Sequence, residues 1–125
     1  MATWTPVELD KIGAAEELRI STFRRDGTLR NPVTIWVVRY DDDLYIRSAH
    51  GATATWFRGT QARSDGHIQA GGIDKDVNFQ SVDPALNDQI DAVYRTKYRR
   101  HGAQYVNMVV TADARATTLK LMPRS

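Results

Sequence analysis

The chain has no cysteine. That excludes disulfide staples, thiolate nucleophiles and cysteine-bound metals, and it makes a reducing cytoplasm the expected compartment. Histidine is scarce too: His50, His67 and His101 stand far apart without a ligand-like spacing, so no metal site is expected. Asp41-Asp42-Asp43 does not change this, because three consecutive acids in a tight turn cannot all face one ion. No apolar run approaches the ~20 residues a membrane span needs. The opening residues, MATWTPVELDKIG, lack the basic-then-apolar layout of a secretory leader. A net charge of +2 is too small for bulk attraction to nucleic acid. Finally, no Gly-x-Ser-x-Gly elbow, Walker-type loop or dinucleotide fingerprint occurs.

What is present fits one globular domain over residues 1–125. Of the 17 basic residues 13 are Arg, whose planar fork suits carboxylate and phosphate. The bias permits a phosphorylated ligand, and an Arg-rich genome would produce it as well.

Local signals set the element order. Thr5-Pro6-Val7-Glu8 reads as a capped helix start, with the helix running to Glu17 and Val7, Ile12, Ala15 and Leu18 facing the core. Leu18 to Arg25 alternates with period two and reads as a strand, turning at Asp26-Gly27 with both residues at positive φ. Leu29 to Tyr40 is a longer strand interrupted at Pro32, which marks an edge, a bulge or a place where a ligand replaces the neighbouring strand. Asp41-Asp42-Asp43 separates it from a strand over Leu44 to Ser48. Ala52 to Arg63 reads as a helix, and Gly66–Ala70 with Lys75–Val82 as a hairpin around Gly71-Gly72. Asp83-Pro84 opens a long helix with a buried stripe of Leu86, Ile90, Val93, Tyr94 and Tyr98, ended by Gly102. A short helix or turn over Gln104–Thr111 and a strand over Ala116–Met122 follow. The expected class is mainly β (α+β), a six-stranded antiparallel split barrel with flanking helices.

The run RRDGTLRNP, then YIRSAHG, then a helix carrying Trp56-Phe57-Arg58, then GHIQAGG resembles the split β-barrel superfamily. That superfamily includes pyridoxamine phosphate oxidase-like flavin proteins and deazaflavin-dependent nitroreductases. The resemblance covers roughly residues 18 to 100 and is nearest to a small bacterial group without assigned function. It implies FMN or a deazaflavin as cofactor, held near the interface of a homodimer, and hydride transfer to a small organic acceptor. The segment Arg30-Asn31-Pro32-Val33-Thr34 would border the ring. Ser48-Ala49-His50-Gly51 would cradle the phosphate, with Arg58 adding charge and Trp56 close by. The chain departs from the pattern at His50, where relatives often carry Lys or Arg, and at Thr53-Ala54-Thr55 in the approach to the Trp.

His50 and His67 are the candidate proton carriers, since imidazole exchanges protons near neutrality. His67 either points into the barrel beside Trp56 or pairs with a neighbouring carboxylate or carbonyl. Trp36, Trp56 and the tyrosines at 40, 45, 94, 98 and 105 are pocket liners or core. A rival reading fits the same residues: a cofactor-free barrel that binds or isomerises a small apolar metabolite through His50 or His67.

Overall fold

The computed structural model describes residues 3–124. Thr5 caps helix α1 (Pro6–Ala14) in a reciprocal box with Glu8, its hydroxyl taking the Glu8 N–H at 3.1 Å. Ile12 and Leu18 are buried and Ala15 packs against the core as expected, whereas Val7 is exposed and Leu9 takes its place on the buried face of α1. The helix also stops short of Glu17, because Leu18 must already be extended for strand β1 (Leu18–Thr22).

The β1 chain reverses through a three-residue loop in which Arg24 N–H meets Thr28 O at 2.7 Å. Only Gly27 takes positive φ (88°), and Asp26 instead accepts from the N–H and hydroxyl of Thr28. An Asp side chain that bonds its own turn removes the need for a second left-handed residue.

The expected strand over residues 29–40 is two strands, β2 (Val33–Ile35) and β3 (Val37–Tyr40), separated at Trp36. The sheet therefore has seven strands rather than six, with β4 (Asp43–Ile46), β5 (Asp65–Ala70), β6 (Ile73–Ser81) and β7 (Leu119–Pro123) completing it. All pairings are antiparallel, in the order β2-β1-β5-β6-β7-β4-β3. The two end strands are consecutive in the chain, so the sheet curls until a single residue joins its edges. The result is a nearly closed barrel with helices around it.

The break has a local cause. Val37 N–H donates to the Tyr98 hydroxyl at 3.1 Å, and Val37 C=O accepts from Lys97 Nζ at 2.6 Å and lies 3.0 Å from the same hydroxyl. Side chains of α3 (Asn87–Tyr98) thus take the place of a neighbouring strand at Val37. The peptide is satisfied without continuing the ladder of β2.

Strand alternation supplies two cores. Leu18, Ile20, Val37, Leu44, Ile46, Ile68, Val77, Phe79 and Leu121 fill the barrel, joined by Leu9 and Ile12 of α1 and by Trp56 and Phe57 of α2 (Thr55–Ala62). On the outer face Val38 and Tyr45 meet Ile90, Tyr94 and Tyr98 of α3, with Val106 from α4 (Ala103–Val106) and Val109. Each fully buried Ile or Leu contributes about 1.5–3 kcal/mol. Short α5 (Ala112–Arg115) leads into β7. Among the described residues no helix is long and apolar enough to cross a membrane, and no group of three His, Asp or Glu side chains is placed to hold a metal.

Candidate functional site

The split at Trp36 opens an apolar cleft of about 280 Å³. One wall is β2 with Trp36; the other is Ala49 and His50 from the turn after β4, Trp56 from α2, and Tyr105, Met108 and Val109. Trp36 is braced from behind. Its indole lies parallel to the Tyr98 ring at 3.9 Å, and His101 leans against it while pairing with Glu16. As an end strand β2 pairs only with β1, so half of its backbone groups face away from any partner strand. The rim is unusually apolar for surface, with Val33 41%, Tyr105 53% and Met108 39% exposed.

Beneath the cleft lies a residue that the sequence reading passed over. Arg47 is wholly buried and ion-paired to Asp91. It also donates to Thr118 Oγ1 at 2.8 Å, Val109 O at 2.9 Å, and Asn87 O and Oδ1 at 3.2 and 3.1 Å, and it packs over Tyr94. Arg47 ties β4, α3 and the Val109 segment into one floor. Its one sequence signal was its place directly after Leu44-Tyr45-Ile46, a run buried on both faces, where a charge needs a partner. Burial pushes the Tyr94 phenol well above its ordinary range, against the pull of the Arg47 charge.

A second cleft, about 580 Å³, adjoins the first across the opening turn of α2. It is lined by Phe23, Arg24, Arg25, Arg30, Thr55, Arg58, Gly59, Ala62 and Arg63. Thr55 lines this cleft and Trp56 the other, so both border the first turn of α2. Its N-cap residue is Ala54 and no side chain caps it, which leaves first-turn N–H groups for an outside acceptor. Gly59 lets α2 lie directly on β1: a Cβ there would stand 2.5 Å from Thr22 Oγ1. Arg63 is neutralised by Asp65 at 2.5 Å and stacks on Phe23 at 3.9 Å.

The expected site residues divide between these clefts. Val33, Thr34, Ala49, His50 and Trp56 line the apolar one, and Arg30 and Arg58 line the basic one. Asn31 and Pro32 are exposed on the segment that joins the two. Ser48 and Gly51 face neither cleft. The Ser48 N–H donates to Thr117 Oγ1 at 2.8 Å, its hydroxyl is buried without a partner, and Gly51 (φ 70°) backs onto Asp113. The turn is pressed against α5 and the start of β7, so it presents Ala49 and His50 rather than a four-residue cradle. His67 does not enter the barrel. Gly66, Ile68 and Ala70 take the inner face of β5, and His67 sits outside between Asp74 and Asp76, 2.8 Å from the latter. Burial works against its charge, but the hydrogen bonds to Asp76 and Asp74 outweigh it and hold the imidazole pKa above its ordinary value.

The profile of the DUF2255 family, described as "Uncharacterized protein conserved in bacteria", matches residues 8–121. The chain belongs to this family. No curated protein matches its sequence. Among solved structures it is similar to the heme storage protein HutZ from Vibrio cholerae, with TM-score 0.63 and 13% identity over 99% of this chain and 92% of that one. It is also similar to a FAD-binding protein from Mesorhizobium loti, with TM-score 0.60 and 14% identity over 99% and 93% of the two chains. An F420 reductase aligns with TM-score 0.54 and 14% identity over 94% and 93%. At these identities the likeness establishes the split-barrel fold that the sequence motifs implied.

Proposed function

We propose that this chain binds a flavin or deazaflavin and serves as an oxidoreductase for a small organic acceptor. One observation carries the reading: an apolar cleft walled by Trp36 and Trp56 and a basic cleft both border the first turn of α2, whose N-terminus no side chain caps. A ligand with a flat ring at one end and a phosphate at the other matches that pair of surfaces. The chain's own donor set fits such a group. The unpaired backbone edge of β2 offers hydrogen bonds to a ring's polar rim, the two indoles offer apolar faces, and Arg30 and Arg58 complement a phosphate.

When bound, the ring supplies the two-electron redox chemistry. The protein residues orient and enclose it. Arg47 and Asp91 hold the floor rigid, and Trp36, fixed by Tyr98, sets the cleft's width. His50, exposed on the wall, is the imidazole able to give or take a proton at a substrate in the cleft. His67, held by two carboxylates on the far side of β5, is left to a surface role. The apolar rim of Val33, Tyr105 and Met108 is covered by a second copy of the chain, giving a homodimer that shields the cleft from water.

Fluorescence titration tests the reading. Trp36 and Trp56 emission should be quenched by riboflavin, FMN, FAD or a deazaflavin with a micromolar Kd, and light scattering should give twice the chain mass. Trp56→Leu should weaken ring binding about tenfold, from the loss of one aromatic face. A colourless protein that binds none of these compounds would leave the cofactor-free isomerase or binding protein as the better account.

A further inference from the structure

The basic cleft holds more positive charge than a single phosphate can neutralise. Four of its five guanidinium groups, those of Arg24, Arg25, Arg30 and Arg58, make no ion pair among the described residues, whereas Arg63 is paired with Asp65. Elsewhere Arg39, Arg47, Arg100, Arg115 and Arg124 have carboxylate partners, and Arg19, Arg95 and Arg99 have none among the described residues but are not gathered in one cleft. Arg24 is the most committed of the four. It donates to Leu29 O at 2.8 Å and to Thr28 Oγ1 at 3.3 Å. Asp26 of the same turn is held below the usual carboxylate range chiefly by Thr28 and only secondarily by Arg24. Among the described residues Arg25 and Arg58 make no side-chain hydrogen bond, and Arg30 Nε is buried without a partner. A buried guanidinium N–H with no acceptor is costly unless something outside the chain supplies one.

Like charges gathered in one concavity repel each other, and with Asp26 beside Arg24 and Asp65 on Arg63 the arginines still outnumber the carboxylates, which keeps the local potential positive. The phosphate of a flavin mononucleotide brings about −1.5 to −2 charges, going by phosphomonoesters at neutral pH. A pyrophosphate diester carries a similar total, about −2, but divides it between two groups, and a phosphodiester with carboxylates carries more, so the tails differ in how many anions they spread along the arginines. The volume argues the same way: the basic cleft, about 580 Å³, is roughly twice the apolar one of about 280 Å³. The flanking Phe23, stacked with Arg63, adds a flat surface beyond the charges.

We infer that the basic cleft is built for a cofactor tail carrying at least two anionic groups, so the chain selects a dinucleotide or an oligoanionic deazaflavin over a mononucleotide. This rests on the ring-binding reading above for its ring end only. Arg58 and the first turn of α2 take the group nearest the ring, and Arg25 and Arg30 take the next one out. A pyrophosphate and a phosphodiester followed by carboxylates share this chemistry, and binding measurements separate them.

The experiment compares matched pairs on the full chain: FAD against FMN, and a glutamyl-tailed deazaflavin against the same ring with its tail removed. Inorganic pyrophosphate serves as competitor. At least one tailed ligand should bind tenfold or more tighter than its short partner, the value expected if one charge-assisted hydrogen bond to the tail is made and lost. Whichever pair shows the difference names the source. The double variant Arg25→Gln/Arg30→Gln, which removes the arginines assigned to the outer group, should erase the preference and the competition by pyrophosphate. Arg25→Gln alone, on an exposed turn, gives the same test in part if the double variant folds poorly. Equal affinities within both pairs, with no pyrophosphate competition, would overturn the inference and leave the ring-binding reading standing. If no ring compound binds but calorimetry shows pyrophosphate binding to the wild type and not to the variant, the anion site stands and the flavin reading falls. Absence of binding by rings and pyrophosphate alike overturns both.

Discussion

Replacing Asp91 by Ala should be among the most damaging single changes outside the barrel core. The substitution removes the sole carboxylate paired with a guanidinium that has no exposed side-chain surface. Breaking a buried pair by deleting one partner costs about 3–5 kcal/mol, because the remaining charge is left in a poor solvent. Arg47 would keep its neutral acceptors, Val109 O, Thr118 Oγ1 and Asn87, which places the expected loss near the lower end, about 3 kcal/mol. For a chain of this length that is roughly a 10 °C fall in Tm. The reverse deletion differs: in Arg47→Met, Asp91 retains Arg115 Nε at 3.4 Å and lies closer to solvent. Arg47→Met/Asp91→Ala removes both charges and should cost less than the sum of the singles, with a coupling energy of about 2 kcal/mol or more. Urea unfolding followed by tryptophan emission and by far-ultraviolet circular dichroism measures all four proteins. Coincident transitions would support treating the unfolding as two-state. A loss below about 1 kcal/mol for Asp91→Ala, or strict additivity in the cycle, would refute the view that this pair is a buried charge held by its partner.

Two further changes test the geometry around the site. Gly59→Ala raises helix propensity by about 1 kcal/mol but drives a methyl group into Thr22, an overpacking that costs about 1–3 kcal/mol. A net destabilisation is expected, relieved by adding Thr22→Ala; a Gly59→Ala protein more stable than wild type would show that α2 does not rest on β1 as described. Burial lowers the Lys97 pKa to about 8. Between that value and its ordinary one the unfolded chain binds more protons than the folded one, so stability should rise with pH from about 8 towards 10. Below 8 Lys97 is charged in both states and the full cost of burying it is felt. Tyr94 and Tyr98, pushed up mainly by burial, reverse the trend only above about 10, where the unfolded phenols ionise first. Lys97→Met should flatten the rise, and an identical slope in both proteins across pH 8–10 would remove the assignment.

Much of the fold was legible because its punctuation is local. Thr5 with Glu8, Asp83 with Pro84 and Gly71-Gly72 each fix a boundary through their own backbone, and those boundaries fall within a few residues of expectation. The split at Trp36 was not legible. Val33 to Val38 is uniformly apolar or β-branched, and Pro32 drew the expected interruption four residues too early. The actual break depends on Tyr98 and Lys97, some 60 residues away. The site was half legible for the same reason. His50, Trp56, Arg30 and Arg58 stand out by residue type, but their division into two clefts is set by where α2 settles on Thr22. Ser48 looked like a donor for an anion, and the packing of Thr117 against its backbone turned it inward. Arg24 and Arg25 read as ordinary alternation in a strand, and only the three-residue loop gathers them beside Arg30.

The position of β7 bears on how the molecule is made. It follows every other strand in the chain, yet it lies between β6 and β4 in the sheet. During synthesis the earlier strands can form only two pieces of sheet, β2-β1-β5-β6 and the β3–β4 hairpin, joined by the Trp36 hinge and the β4–α2–β5 connection, with α1 touching both. Each piece has an open edge that waits for Leu119–Pro123. A ribosome adding about 5–20 residues per second would hold the chain in that state for seconds while α3 to α5 emerge. Arg47 and the outer face of β3 and β4 would have no α3 to pack on for much of that time. The nascent protein is therefore most exposed to mispairing through the same two strand edges that the finished barrel hides.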